Sequence, residues 1–287
     1  MSLVQIIILA VVQGLAELLP VSSSAHVIVA EKLMGLDPSS PPLTLLLVML
    51  HTGTMFAVIV YFWRQWQSAY FQSSAAFKKF AGFVVLATLL TGVVGEGCIK
   101  LIEKTVFRNL PHAQIEDLFG HLEIIAPALA AAGVLILIAG IIERRNPGLT
   151  RNEEMNARQA GLIGAVQGIC LPFRGFSRSG ATISVGMLAG VAKSRAEAFS
   201  FALAVVLTPA VVAREVLRLF QAESISGTAQ FTTAVLPSSI GAGFAFVAGL
   251  LALRWLTKWL EGGRWYLFGI YCLFAAATAA FLHRAGY

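Results

Sequence analysis

Six stretches of this chain, roughly 43–63, 81–98, 122–142, 197–220, 235–257 and 264–283, consist largely of Leu, Val, Ile, Phe, Ala and Gly. A helix that crosses the hydrocarbon core of a bilayer needs about 20 mostly apolar residues, so each stretch comes close to a membrane span. The composition agrees: 57% of residues are hydrophobic and 13% charged, against roughly one quarter charged in soluble domains. That argues against a soluble enzyme, a disordered chain or a nucleic-acid binder. The net charge of +6 does not change this, because no basic run exceeds two residues. In a membrane protein a Lys/Arg excess is what cytoplasmic loops supply.

Two further apolar stretches are interrupted. Residues 3–30 contain Gly14, Pro20 and the polar run Ser22-Ser23-Ser24; residues 160–192 contain Gly168, Pro172, Gly175, Arg178 and Gly180. Broken backbone inside a bilayer is tolerated only where protein or a wet cavity satisfies it. Both stretches are therefore expected to be re-entrant hairpins of two half-helices with polar tips near midplane. They also resemble each other. Gln13-Gly14 recurs as Gln167-Gly168, 154 positions on, and Ser22 and Ser24 recur as Ser177 and Ser179, 155 positions on. Three spans lie between the copies, an odd number, so the second copy is inverted and the two tips are expected to meet in the interior. Interrupted segments at matching positions of inverted repeats mark a binding site. The expected fold is an all-α polytopic membrane protein, a single domain over 1–287. It has about six transmembrane helices plus two re-entrant helical hairpins, in repeats over approximately 1–142 and 156–287.

Loop charge gives an orientation. With the first hairpin on one side, twelve Lys/Arg fall opposite it (Arg64, Lys78, Lys79, Arg144, Arg145, Arg151, Arg158, Lys193, Arg195, Arg254, Lys258 and Arg264). Five (Lys32, Lys100, Lys104, Arg108 and Arg284) share its side. The richer side is expected to be cytoplasmic, with both termini outside. Gly186 and Gly190 have the spacing of a close helix contact. Cys98, Cys170 and Cys272 show no CxxC pattern and are read as small apolar residues. Without a basic n-region or an evident cleavage site, the first apolar stretch is expected to stay in the mature protein.

Ionisable groups inside a membrane are costly and usually functional. Glu17, His26 and Arg178 stand out at the two tips. Gln13 and Glu17 are four apart and share a helix face; their hard oxygens suit magnesium or calcium. A helix-end carboxylate that snorkels to an interface is the competing role for Glu17. Ser22 and Ser24 are expected to cap the following helix. A serine with a histidine three residues on has the residue types of a nucleophile and its base, and Ser23 is left open between these roles. The second tip, Gly175-Phe176-Ser177-Arg178-Ser179-Gly180-Ala181-Thr182, opens a helix. A helix N-terminus is an anion site, and an arginine fork suits phosphate oxygens. Arg178 could equally pair with Glu17, and a resting pair can open for a ligand. No P-loop is present. His51 is read as a packed helix residue with no role.

The segments QGLAELLPVSSSAH and GFSRSGAT closely resemble the integral-membrane undecaprenyl-diphosphatases of the bacitracin-resistance type. That family carries an (E/Q)xxxE segment, here Gln13 to Glu17, followed by a Pro-Val-Ser-Ser stretch ending in His, here Pro20 to His26. Its Pro-Gly-x-Ser-Arg-Ser-x-x-Thr motif is matched from Gly175 to Thr182. Two departures stand out: Phe173-Arg174 separates Pro172 from Gly175, and Ala25 replaces a common glycine. The resemblance implies hydrolysis of undecaprenyl diphosphate to the monophosphate and inorganic phosphate, recycling a lipid carrier for peptidoglycan and other envelope polymers. It implies a divalent cation, Mg2+ or Ca2+, and a site open to the outer face of the bacterial inner membrane. Carried onto this chain, Glu17 and Gln13 hold the metal. Arg178, Ser177, Ser179, Gly180 and Thr182 bind the diphosphate. Ser23 is the nucleophile, with His26 as base or acid; a metal-activated water is the alternative nucleophile. Expected partners are the substrate and the bilayer, with a homodimer compatible and no nucleic acid. A lipid-phosphate flippase using the same inverted-repeat site is the rival reading.

Overall fold

The computed structural model describes residues 1–36, 41–105, 122–146, 154–173, 175–223 and 229–285. Among these residues the chain forms ten α-helices: α1 (Leu3–Leu18), α2 (Ser23–Leu33), α3 (Pro41–Tyr70), α4 (Ser74–Thr105), α5 (Leu122–Arg145), α6 (Ala157–Cys170), α7 (Arg178–Leu188), α8 (Lys193–Glu223), α9 (Ala229–Glu261) and α10 (Trp265–Arg284). Five helical segments among the described residues are long and apolar enough to cross a membrane: Leu43–Tyr70, Ser74–Thr105, Leu122–Arg145, Val235–Glu261 and Trp265–Arg284. The sixth expected span, 197–220, is helical within α8. Several of its side chains, among them 214–216 and 218–220, lie outside the described residues, to which that set refers. The chain is a polytopic helical membrane protein.

Each interrupted stretch is a pair of short helices. In the first, the chain leaves α1 at Leu19 in an extended conformation, and α2 begins after Ser22. Ser22 has φ 68°, the only positive φ outside glycine among the described residues. In the second, α6 starts from a reciprocal capping box in which Asn156 and Gln159 bond each other's backbone N–H at 2.9 Å. The turn after α6 passes through Gly175 (φ 106°), and Ser177 caps α7.

The two pairs pack in corresponding ways. α1 lies along α9, and α6 lies along α4. Gly14 and Gly168, the residues aligned by the internal repeat, sit at these two crossings. A methyl group at Gly14 would come within 2.6 Å of Ala248 Cβ, and one at Gly168 within 2.7 Å of the Thr91 carbonyl oxygen. The expected Gly186/Gly190 pair divides. Gly186 lies against Ala196 of α8, but Gly190 has φ 86° and terminates α7 instead of lining a helix contact. α3 with α9 and α5 with α10 form the other long contacts. The main core runs between the tips and these helices through Leu18, Val21, Ile136, Ile183, Phe201 and Trp265. Buried indoles find acceptors there: Trp66 Nε1 donates to the Ala198 carbonyl at 3.1 Å and Trp265 Nε1 to Ser184 Oγ at 3.0 Å.

Overfilling the α4–α6 crossing is therefore costly. Gly168→Leu is expected to lose about 1–3 kcal/mol of stability. Gly82→Leu, where nothing lies within 4 Å of an added Cβ, is expected to stay within about 0.5 kcal/mol of the parent. Thermal unfolding in detergent measures both, and equal effects would contradict the crossing.

Candidate active site

Glu17 ends α1 at the first tip, and its carboxylate collects groups from four parts of the chain. Arg178 Nη2, from the start of α7, donates to Oε1 at 2.9 Å. Ser23 Oγ donates to Oε2 at 2.6 Å, and Gln13 Nε2, one helical turn back, donates to Oε2 at 3.2 Å. His51 Nε2 of α3 stands 3.8 Å from Oε2. The Glu17 side chain is 17% exposed and that of Arg178 24%, so the pair is largely withdrawn from solvent. Two weaker contacts tie the tips further: Ser179 Oγ donates to the Leu19 carbonyl at 3.4 Å, and Cys272 Sγ lies 3.4 Å from the Pro20 carbonyl. The acid and the guanidinium, 161 residues apart in sequence, thus meet as the repeat reading expected.

Arg178 is not saturated by this pairing. Its Nη1 is buried and has no hydrogen-bond partner among the described residues. An unsatisfied buried charged donor is unfavourable unless an acceptor arrives. At the same helix end, the Ser177 hydroxyl takes the Gly180 N–H at 3.2 Å and the Ser177 carbonyl takes the Ala181 N–H at 2.9 Å. The N–H groups of Arg178 and Ser179 precede the first internal bond of α7, so they have no intrahelical acceptor. One guanidinium nitrogen and the positive end of α7 are therefore available to an anion.

Other residues of the second tip also hold it in place. Ser177 caps. Gly180 allows α7 to approach α5, since a Cβ there would fall 2.6 Å from Ile136 Cδ1. Thr182 is fully buried; its hydroxyl donates to the Arg178 carbonyl at 2.7 Å and meets Ser200 Oγ at 2.6 Å. These contacts fix the backbone from which Arg178 projects. Arg174 lies outside the described residues, as do Arg108 and Arg151 of the charge count.

The first tip differs from the expected pairing in two respects. Ser23 is bonded to Glu17, not to His26. The His26 ring is held elsewhere: Nδ1 lies 2.8 Å from the Ser22 carbonyl and Nε2 lies 2.7 Å from Tyr271 Oη of α10. Ser22 occupies the cap position of α2 but makes no side-chain cap; its hydroxyl lies 3.4 Å from that of Ser24, which is inside the helix. The unusual φ at Ser22 explains this, because it turns the side chain away from the α2 amides.

His51 and Tyr271 were not assigned by sequence. His51 carried a signal, an ionisable residue within a span, but an isolated histidine there does not reveal what it faces. Tyr271 sits in an apolar helix and carried none. Glu197, buried on α8, bonds Thr257 at 2.8 Å.

Among the described residues no three His, Cys, Asp or Glu side chains gather as a complete metal-ligand set. One carboxylate and neutral oxygens at an anion site do fit a hard cation shared with substrate, because magnesium is typically held by one or two carboxylates together with substrate phosphates. Gln13 presents its amide nitrogen to Glu17, so joint ligation would require that amide to turn over.

The fold and this cluster define a class: a polytopic helical membrane protein whose two broken-helix tips present a carboxylate, a serine and a partly unsatisfied arginine to an anion. Residues 6–278 match the family described as "Bacitracin resistance protein BacA", and the chain belongs to that family. It is 55% identical to "Undecaprenyl-diphosphatase 2" of Acinetobacter baylyi, covering 95% of both chains. It is 33% identical to "Undecaprenyl-diphosphatase 2" of Burkholderia ambifaria, over 96% of this chain and 95% of that one. It is 30% identical to "Undecaprenyl-diphosphatase" of Rhodopirellula baltica, covering 98% of both.

The backbone strain at Ser22 is testable. Glycine reaches positive φ at no steric cost, so Ser22→Gly is expected to keep or raise the melting temperature. Ser22→Val is expected to lose about 1–3 kcal/mol. A valine variant as stable as the glycine variant would show that this backbone is not strained.

Proposed function

We propose that this protein is an undecaprenyl-diphosphatase. It hydrolyses the phosphoanhydride of undecaprenyl diphosphate, releases inorganic phosphate and returns the monophosphate carrier for peptidoglycan and envelope synthesis. The observation that carries this reading is the Glu17–Arg178 contact between the tips, with Arg178 Nη1 buried and unpartnered beside it. The family and its diphosphatase relatives support the same activity; no relative named above is a flippase.

Phosphoryl transfer requires mainly positioning and charge neutralisation. Arg178 holds the terminal phosphate through Nη1, assisted by the free N–H groups of α7. Ser23 attacks phosphorus, a role supported by its hydroxyl proton, which already points at Glu17, 2.6 Å away: Glu17 takes the proton as the Ser23 Oγ–P bond forms. The bridging oxygen leaves with undecaprenyl phosphate, and water then cleaves the phosphoserine. His26, outside bonding contact with Ser23, serves the proton transfers at the leaving oxygen or the attacking water. Glu17, with Gln13 after its amide turns, would hold Mg2+ or Ca2+, which when bound neutralises charge on the diphosphate. Direct attack by water remains the second route, with Ser23 as a donor to phosphate.

The protein sits in the bacterial inner membrane with the site open to the periplasmic side. The Lys/Arg excess on the opposite face supports this orientation. The helix pairs α1–α2 and α6–α7 are the re-entrant hairpins of two inverted repeats, a reading supported by Gly14 and Gly168 at corresponding crossings. A homodimer is compatible with this arrangement.

Purified protein in detergent, given a prenyl diphosphate, is expected to release phosphate. A chelator should abolish release, and Mg2+ or Ca2+ should restore it. Glu17→Ala and Arg178→Ala should each lose on the order of a hundredfold or more in turnover while still folding. Near-normal turnover in either variant removes that residue from the site. Ser23→Ala separates the routes: a trapped phosphoenzyme in the parent and an inactive variant support the serine, whereas retained activity supports water.

A further inference from the structure

Tyr271 is 44% exposed on α10, whose outward face also carries Ile270, Phe274 and Phe281. Its hydroxyl nevertheless meets His26 Nε2 at 2.7 Å, and the two rings stack with centroids 5.6 Å apart and planes 12° from parallel. On the other side of the imidazole, Nδ1 is 2.8 Å from the Ser22 carbonyl. A carbonyl only accepts, so Nδ1 carries the proton. In the neutral ring Nε2 then holds a lone pair, to which the Tyr271 hydroxyl donates. Which histidine nitrogen is protonated is set by the partner of the other, and here both partners are present. The stacking removes the remaining rotational freedom of the ring.

Among the described residues this side of the molecule is also the less covered one. α7 packs against α5, α6 and α8, whereas the extensive contact of its counterpart α2 is with α1. Of their eleven residues each, α7 buries eight and α2 buries four. A lipid headgroup moving in from the bilayer meets less protein beside α2 than beside α7, and Tyr271 and His26 stand on that side.

We propose that Tyr271 is a positioning residue for His26. The Ser22 carbonyl sets the Nδ1–H tautomer, and Tyr271 orients the ring so that its Nε2 lone pair is held at the bilayer-facing side of the first tip, where the diphosphate of a lipid arrives. The phenol gives up this bond when a water O–H takes its place. The proposal rests on the diphosphatase reading for its effect on turnover, but its structural content is independent of that reading.

Two measurements on the full-length protein in detergent test it. In the first, 15N-histidine NMR, with the His26 signals identified by their loss in His26→Gln, is expected to show the Nδ1–H tautomer in the parent. In Tyr271→Phe, which keeps the stacked ring and loses only the hydroxyl, the Nδ1–H tautomer is expected to persist on the Ser22 carbonyl while the Nε2 resonance moves with the loss of its donor. In the second, Tyr271→Phe is expected to lower kcat about ten- to a hundredfold with KM within about twofold. The same change in a His26→Gln background should cost nothing further. A parent His26 in the Nε2–H form overturns the proposal, even if the variant does not fold. So does a fall in kcat without a change in the Nε2 resonance, a change in that resonance without a fall in kcat, or an additive loss in the double variant. Absence of phosphate release by the parent would instead overturn the diphosphatase reading, and the NMR comparison would still decide the role of Tyr271.

Discussion

An acid and a guanidinium held together inside a membrane protein set the terms for the rest of this structure. At 2.9 Å and an effective dielectric near 20, the attraction between Glu17 and Arg178 is about 6 kcal/mol. Withdrawing the two ions from water costs several kcal/mol each. The pair is therefore close to balance, and it holds only while both groups stay near each other. A phosphate with more negative charge than one carboxylate competes well for the same arginine, the more so because Nη1 lacks a partner. The contact brings the tips together, and under the proposed function it yields to a ligand.

The backbone makes that contact possible. α1 stops at Leu18 because Pro20 cannot continue a helix, and the Ser22 peptide adopts an uncommon φ to turn the chain back. α7 starts where Gly175 allows a left-handed step and Ser177 caps the first turn. Close crossings at Gly14 and Gly168 press α1 onto α9 and α6 onto α4. Side chains that the resemblance assigned to diphosphate binding also support the tip: Thr182 joins α7 to Ser200 of α8, and Ser177 accepts the Gly180 amide.

Much of this was legible in the sequence, for physical reasons that can be named. Long apolar runs can be little else in a bilayer, so the helices over 43–63, 81–98, 122–142, 197–220, 235–257 and 264–283 were readable. Proline and polar residues inside two apolar stretches marked both breaks, and their similarity foretold that Glu17 and Arg178 would meet. Side-chain direction was not legible. Ser23 and His26 are three residues apart, yet one faces Glu17 and the other Tyr271, because the turn at Ser22 decides where each points. His51 and Tyr271 reach the tips only through the packing of α3 and α10, and no local pattern records that. The Gly190 misassignment has the same origin: spacing cannot tell a helix contact from a helix end.

The most direct test of the central claim is an experimental structure with a non-hydrolysable prenyl methylenediphosphonate bound. The account places a terminal phosphonate oxygen within hydrogen-bond reach, about 2.7–3.2 Å, of Arg178 Nη1, between the two tips. An analogue seated elsewhere, with the Glu17–Arg178 pair intact and Nη1 still unpartnered, would contradict it.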